Sequence, residues 1–475
     1  MKLLLAVVVL ALTLNEGPNI DATLPPLLLA SLLSQQRQAL LHPGIPFLHP
    51  IPPLLQQVHS LLHPASPLLQ QVQPLLHPVS PLLQQVQPLL YQEQTHLLNC
   101  QTDQSVQFRK ALYEFSLNLY NALSDHENDH FVTSPFSIWM SLAALAEGAE
   151  SEAQVQLFKV LGLPQQNCLR QKFYTIAMSL EIPGTDVSFI RNRGIIFDEG
   201  VHVKKQWRNF VKTSKLLEYV SAPIKDKPRL AEIMLQKAIG SKMLMPLQGN
   251  SVLIDSLTYR GVWTNSFDAE HVAMEPFYND SGEQIGIVPM MRIRLRTRIA
   301  EIPLFKAKIV ELPVGNDGRY TMLIGMGMEH NGAMRKLANL QHGAIISEVI
   351  KLLHLSPGPI EIAIPKITMS TDYNARVVLE QLGIRDIWTD PAATKHVSRP
   401  AALPGGLVQH VIISLTPEGI TPPPPDNAVV GLLGNIVNEV GDDNFIANKP
   451  FMYVLIESRT HNVLFAGSYS DPNRA

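Results

Sequence analysis

Chemistry needs nucleophiles, bases or metal ligands at fixed spacing, and in this 475-residue chain they are scattered. No His and Asp pair up around a G-x-S-x-G turn, and no Gly-rich phosphate cradle follows a strand. The chain therefore reads as a non-enzyme without a cofactor. Four histidines, His42, His49, His63 and His77, recur along the N-terminal part. Imidazoles in a flexible chain can converge on zinc or copper, but nothing pre-organises these, so they read as spectators and no metal site is assigned. Arg292, Arg294, Arg296 and Arg298 alternate with Ile293, Leu295, Thr297 and Ile299. In one strand all four guanidiniums would share a face, which fits a polyanion site for a glycosaminoglycan or, more plainly, a solvated face over an apolar one. Cys100 and Cys168 form a candidate disulfide in an oxidising compartment, with two unpaired thiols as the alternative. Asn279-Asp280-Ser281 is a candidate glycosylation acceptor.

The elements that must carry these residues fall into two kinds of sequence. Met1-Lys2 followed by Leu3 to Leu14 has the charged start and short apolar core of a secretory signal, so residues 1–22 are expected to be removed. That core is too short to cross a bilayer and no later run of ~18 uncharged apolar residues follows, so a secreted, extracellular protein without a membrane span is expected. Residues 23–104 are a low-complexity tail. Three copies of a 14-residue unit run over His49–Leu62, His63–Leu76 and His77–Leu90. Their prolines recur too often for an uninterrupted helix, so short turns or polyproline II, disordered as a whole, are expected. With 38 basic against 41 acidic residues the net charge of −3 gives no pull toward nucleic acid.

From Ser105 to Ala475 the sequence is globular. Val106 to Leu123 has apolar residues at helical spacing, and Phe131-Val132-Thr133 reads as a short strand. Ser134 is a capping residue with Pro135 at the first turn, which starts a buried helix through Glu147. Glu152 to Leu161 is a third helix, stopped by Gly162 and Pro164. Phe189 to Phe197 is strand-like, Lys204 to Thr213 is an exposed amphipathic helix, and Ser251 to Tyr259 suits a central strand. Pro417 to Pro450, rich in Pro, Gly, Asn and Asp between the β-rich runs Val408 to Leu415 and Phe451 to Ile456, reads as a long exposed loop.

The flanks of that loop carry a resemblance. Glu418-Gly419 before it, Phe445-Ile446-Ala447-Asn448-Lys449-Pro450-Phe451 after it and Val463-Leu464-Phe465-Ala466-Gly467 resemble the hinge and closing signatures of serpins. Ser134-Pro135-Phe136-Ser137-Ile138, Trp263-Thr264-Asn265-Ser266-Phe267, Val288-Pro289-Met290-Met291 and Ile364-Pro365-Lys366 fall in the family's order, followed by Tyr373 and Leu382-Gly383-Ile384. The resemblance implies an α+β serpin fold with large mixed and antiparallel sheets, eight to nine helices and an exposed reactive-centre loop. It also implies a mechanism in which an extracellular serine protease cuts the loop, and the loop then enters the main sheet as a new strand.

Here the sequence departs from the pattern. Inhibitors of the family follow the hinge Gly with small residues; this chain has Glu418, Gly419, bulky Ile420 and Thr421, then Pro422, Pro423, Pro424 and Pro425. Each proline removes a ladder donor, so entry of the loop should stall after one or two residues. The scissile bond is Leu433–Gly434 counted from the hinge, or Glu439–Val440 counted back from Pro450. Where the strands must part, Ser137 and Trp263 match the pattern, but Asp255 stands where Asn is usual and Gln409 where His is usual. The favoured reading is a non-inhibitory binding or carrier protein for an unknown extracellular protein or small ligand. The alternative is a true inhibitor with a chymotrypsin- or elastase-like bait at Leu433. A third, an angiotensinogen-like peptide precursor, shares only composition at Ile45 to Pro50 and finds no Lys or Arg between Gln38 and Phe108 for a dibasic-cutting protease.

Overall fold

The computed structural model of this chain describes residues 100, 102–183, 186–303, 306–328, 344–421 and 444–474. The signal, the repeats, the four histidines, Pro422 to Pro425 and both candidate scissile bonds lie outside them. Helices among the described residues are α1 (Ser105–His126), α2 (Pro135–Ala146), α3 (Ser151–Leu161), α4 (Asn167–Leu180), α5 (Lys205–Ser214), α6 (Pro228–Ile239), α7 (Ala344–Leu352), α8 (Arg376–Gln381) and α9 (Asp386–Thr389). Strands are β1 (Phe131–Thr133), β2 (Val187–Asp198), β3 (His202–Val203), β4 (Glu218–Ala222), β5 (Ser251–Val262), β6 (Ala273–Tyr278), β7 (Gln284–Leu295), β8 (Arg298–Ile302), β9 (Ala307–Val314) and β10 (Tyr320–Gly327). They continue with β11 (His354–Leu355), β12 (Ile360–Pro365), β13 (Ile367–Asn374), β14 (Ser398–Arg399), β15 (Pro404–Leu415), β16 (Gly419–Thr421), β17 (Phe445–Ile446), β18 (Phe451–Glu457) and β19 (Val463–Tyr469).

Local chemistry explains the elements nearest the site. Ser134 Oγ accepts from Ser137 N–H and Pro135 occupies the first turn of α2, so the helix starts where a donor is satisfied and another is absent. All twelve residues of α2 are buried, Phe136, Trp139 and Leu142 among them, which makes it an interior helix. Trp139 Nε1 still finds the Leu161 carbonyl at 2.9 Å. α3 ends on Gly162 at φ 62°, the left-handed cap that glycine adopts without steric cost. β13, Ile-Thr-Met-Ser-Thr-Asp-Tyr-Asn, buries its odd-numbered residues through Tyr373 and turns the even ones outward, as an edge strand over a core must.

A seven-stranded sheet runs β1-β19-β18-β10-β9-β8-β11, with β10 and β19 buried along their whole length. A four-stranded sheet runs β17-β12-β7-β6, and β14 pairs with β3. The six-stranded sheet has the order β13-β15-β16-β5-β2-β4, and below β16 its strands β15 and β5 pair directly and in parallel. α2 contacts both β5 and β2 of this sheet and also β19, so it sits where the two large sheets share a core.

The arginine stripe is not one strand. β7 ends at Leu295 in the four-stranded sheet and β8 begins at Arg298 in the seven-stranded one, so Arg296-Thr297 is a crossing and the four guanidiniums do not line up. Arg292 pairs with Glu275 and Glu361, and Arg298 lies 3.2 Å from Glu311. Arg294 and Arg296 are exposed, with Arg296 Nε donating to the Ser356 carbonyl. The alternation is that of two sheet ends, with Arg292 and Arg298 in ion pairs and Arg294 and Arg296 at the surface.

The expected loop is shorter than its composition suggests. Pro417, Gly419 and Ile420 are buried at its start and Phe445 and Ala447 at its end, where β17 adds in parallel to β12. Ile420 and Phe445 are apolar anchors, each wholly shielded from solvent, and they pull both flanks into the body.

Candidate functional site

β15 ends at Leu415, and the chain reverses through Thr416-Pro417-Glu418 so that β16 returns antiparallel to it. Thr416 N–H donates to the Gly419 carbonyl at 2.8 Å, Gly419 N–H returns a bond to Thr416, and Thr416 Oγ1 donates to that same Gly419 carbonyl. Trp263 fixes the turn from outside: its Nε1 donates to the Thr416 carbonyl at 2.9 Å and its backbone N–H to Glu418. Phe267 N–H takes the Pro417 carbonyl. The three expected residues of this corner, Trp263, Glu418 and Gly419, are therefore in one network, and Phe267 completes it.

β16 is wedged between β15 and β5. Thr421 lies opposite Ser414, Ile420 opposite both Leu415 and Gly261, and Gly419 opposite Val262. A Cβ on Gly419 would sit 2.2 Å from the Gly261 carbonyl oxygen, so only glycine passes here. Ile420, expected to resist, is instead accommodated with no exposed surface, opposite Gly261.

Below the wedge, β15 and β5 close through paired residues from Leu407–Leu253 to Ile412–Thr258. Across that closed seam Gln409 Nε2 donates to Asp255 Oδ2 at 2.6 Å, and Ser137 Oγ of α2 donates to Asp255 Oδ1 at 2.6 Å. Gln409 Oε1 accepts from Thr133 Oγ1, the Ser134 N–H and Tyr373 OH, which leaves its amide nitrogen free to face the carboxylate and the Ser134 carbonyl. Ser137, Asp255 and Gln409 have no solvent-exposed surface. An acceptor-only Asp opposite an amide donor is a matched pair, which is how the two departures from the family pattern fit each other.

Sequence reasoning missed the cation behind this pair. Arg193 of β2 is the cross-strand neighbour of Asp255, donates to Ser137 Oγ at 3.0 Å, and is held from behind by Glu181 and the Leu216 carbonyl. Arg191 contacts the same Glu181. The signal was present as Arg193 directly before the apolar run Gly194 to Phe197, since a charge heading a buried stretch needs a buried partner. Burial pushes the Asp255 carboxyl up, against the pull of Arg193 and the two hydrogen bonds. Burial likewise lowers Arg193, to about 10, with Asp255 opposing.

The remaining expected residues lie elsewhere. The Cys100 and Cys168 sulfurs meet, with Cα atoms 5.8 Å apart, and tie the residues before α1 to the start of α4. Asn279 sits in the turn between β6 and β7, where its Oδ1 accepts from the Ser281 and Glu283 N–H groups. Among the described residues no group of three His, Cys, Asp or Glu is placed to hold a metal ion, and no helix is long and apolar enough to cross a membrane.

Comparison with known proteins matches this architecture. The family model described as Serpin (serine protease inhibitor) covers residues 110–472. Alpha-1-antiproteinase S of Cavia porcellus is 22% identical over 385 residues, 78% of this chain and 92% of that protein. Corticosteroid-binding globulin of Oryctolagus cuniculus is 24% identical over 382 residues, 76% of this chain and 95% of that protein. Among solved structures, uncleaved ovalbumin superposes with a TM-score of 0.65 at 20% identity, covering 76% of this chain and 98% of its own. Human thyroxine-binding globulin complexed with its hormone gives 0.66 at 18% identity, covering 78% and 100%.

Proposed function

This chain belongs to the serpin family, and we propose that it is a secreted, non-inhibitory member that binds or carries a partner, its loop unable to complete insertion. The register of the seam carries this reading. Continued beyond Thr421, the register of β16 would set Pro422 between Ile413 and Tyr259. Pro423, Pro424 and Pro425 would then have to part the closed pairs Ile412–Thr258, Val411–Leu257 and His410–Ser256. Each proline forfeits a ladder bond of about 1 kcal/mol net, more where a carbonyl is left buried and unpaired.

The next residue meets a second obstacle. In the same register Asp426 would fall between Gln409 and Asp255, on the face that both bury. It would break the Gln409–Asp255 bridge and set a second carboxylate beside the first in a site without water. A cut loop therefore meets a steric and hydrogen-bond block and then an electrostatic one.

Secretion is supported by the signal-like first residues and the Cys100–Cys168 contact. One observation favours the second reading, a working inhibitor of an extracellular serine protease: the hinge residues Gly419 and Ile420 have already passed between β15 and β5. In that case Leu433–Gly434 or Glu439–Val440 would be the bait. The two readings separate when the protein is incubated with chymotrypsin and with elastase, followed by denaturing electrophoresis and melting before and after the cut. A cut chain without an SDS-stable complex and without a rise in melting temperature is expected; either of those appearing would overturn the non-inhibitory reading.

A further inference from the structure

A cleft of about 1200 Å³ opens between β2, β4, α5 and α6, on the far side of the sheet's closed seam from β13. We propose that it binds a small anionic amphiphile, a single carboxylate or sulfonate on an apolar chain or ring. The proposal does not depend on how far the loop enters the seam.

The sequence of α5 sets up the charged wall. Arg208, Val211 and Lys212 stand at positions i, i+3 and i+4 of the helix, Lys215 is its C-cap residue, and all four line the cleft. Val211 is buried against the body while the three cations are exposed. Neither Arg208, Lys212 nor Lys215 has a carboxylate within ion-pair distance among the described residues, although Arg208 and Lys212 are like charges one turn apart. The facing wall on β2 adds Arg191, which Glu181 holds in place. Arg193 lines it as well, so one carboxylate, Glu218, faces five cations, of which Arg191 and Arg193 are already held by Glu181.

Below the charges the surface is apolar. Val211 and Leu217, both buried, are the apolar lining on the side of α5 and Arg191, while Ile196, Ile254 and Ala238 line the space from the other face of β2, under α6. The volume exceeds the usual ~300–1,000 Å³ of a small-molecule site, so a ligand would fill part of it. An inorganic anion would use only the rim, and a neutral hydrocarbon would leave the cations unsatisfied; a molecule with both features uses apolar lining and rim together. A solvated basic helix face would explain the lysines alone, but not their convergence with Arg191 beside the buried Val211 and Leu217.

The test uses the full-length protein, with calorimetric titration of dodecanoate and of dodecanol below their aggregation limits. Saturable binding of dodecanoate at one site is expected, with dodecanol at least about tenfold weaker. Lys212→Glu/Lys215→Glu should weaken dodecanoate by about tenfold or more. Arg294→Glu/Arg296→Glu, the same charge change on a distant exposed surface, should leave it unaltered, with the melting temperature of each variant confirming its fold. Equal affinity for dodecanol, or unchanged dodecanoate binding in Lys212→Glu/Lys215→Glu, overturns the proposal. So does saturable binding of a heparin oligosaccharide at these lysines with none of dodecanoate, which would assign the cleft to a polyanion.

Discussion

The upper and lower parts of one seam, between β5 and β15, behave oppositely. Above Thr258 and Ile412 the two strands are held apart by Gly419-Ile420-Thr421; below, they pair directly and are bridged by Gln409 and Asp255. The open part needs a residue without a Cβ at Gly419, set against the Gly261 carbonyl, and backbone N–H groups throughout. The closed part is tied by buried polar groups from α2, β2, β5 and β15, so parting it would strand several donors and acceptors at once. The difference teaches that, on the proposed non-inhibitory reading, insertion would be limited at a definite place, one residue past Thr421, and not by general stiffness of the sheet.

The largest expected effect comes from removing both obstacles. With Pro422 to Pro425 replaced by alanines and Asp426→Ala added, cutting the loop should add a full interior strand, on the order of 10 kcal/mol for about ten ladder residues. Melting of cut against uncut protein should then rise by many degrees, whereas the wild type should not move. The proline replacements alone, with Asp426 kept, should give a smaller rise. Equal rises would show that the second carboxylate does not matter.

The next effect concerns the bridge itself. Asp255→Ala leaves Arg193 without its cross-strand carboxylate and Gln409 without its acceptor, and should cost about 3–5 kcal/mol in urea unfolding. Asp255→Asn should cost about 1–3 kcal/mol, because its amide nitrogen would face the Gln409 donor, whose oxygen is already occupied. Asp255→Asn with Gln409→His, the usual family pair, should recover part of that loss. Additive losses in this double-mutant cycle would show that the two positions are not matched.

A smaller change tests the open part. Gly419→Val places a branched side chain on the Gly261 carbonyl and should expel β16, at a cost of about 1–3 kcal/mol. Hydrogen exchange at Ile420 and Thr421 should accelerate while that of Gln409 stays protected. If both ends lose protection together, the seam opens as one unit and the distinction drawn above fails.

The smallest effect is the pH dependence. Asp255 has its folded value raised above 3.8, so its contribution is complete below 3.8 and is lost as pH rises through the folded value. His130 works in the opposite sense: burial lowers it to about 4, and its contribution is lost as pH falls from 6.5 through that value. The difference between wild type and Asp255→Asn isolates the first, and stability of the variant should fall less on raising pH from 3.5 to 6. A parallel pair of curves would mean that Asp255 does not titrate in this range.

Much of this molecule follows from local sequence. The helix beginning at Ser134-Pro135, the strand Phe131 to Thr133 and the central strand from Ser251 are set by capping, periodicity and apolar runs, and they occur where expected. The arginine alternation misled because period two persists across Arg296-Thr297 while the chain changes sheets, and periodicity carries no information about which sheet a strand joins. Arg193 was overlooked because its partners come from other elements, Ser137 at a separation of 56 residues and Asp255 across β5.

By itself, then, the sequence determined what travels with a single residue or short motif: the family signatures, the lack of four consecutive ladder donors after Thr421, and the exchange of the usual Asn and His for Asp255 and Gln409. Only the tertiary structure decided what those residues meet. It set Gln409 against Asp255 from 154 positions away, fixed the register that would bring Asp426 to the same point, and brought the cations of α5 and its cap beside Arg191. The reason is physical: a missing N–H or a charge belongs to one residue, while its free-energy consequence depends on burial and pairing, which the rest of the chain supplies.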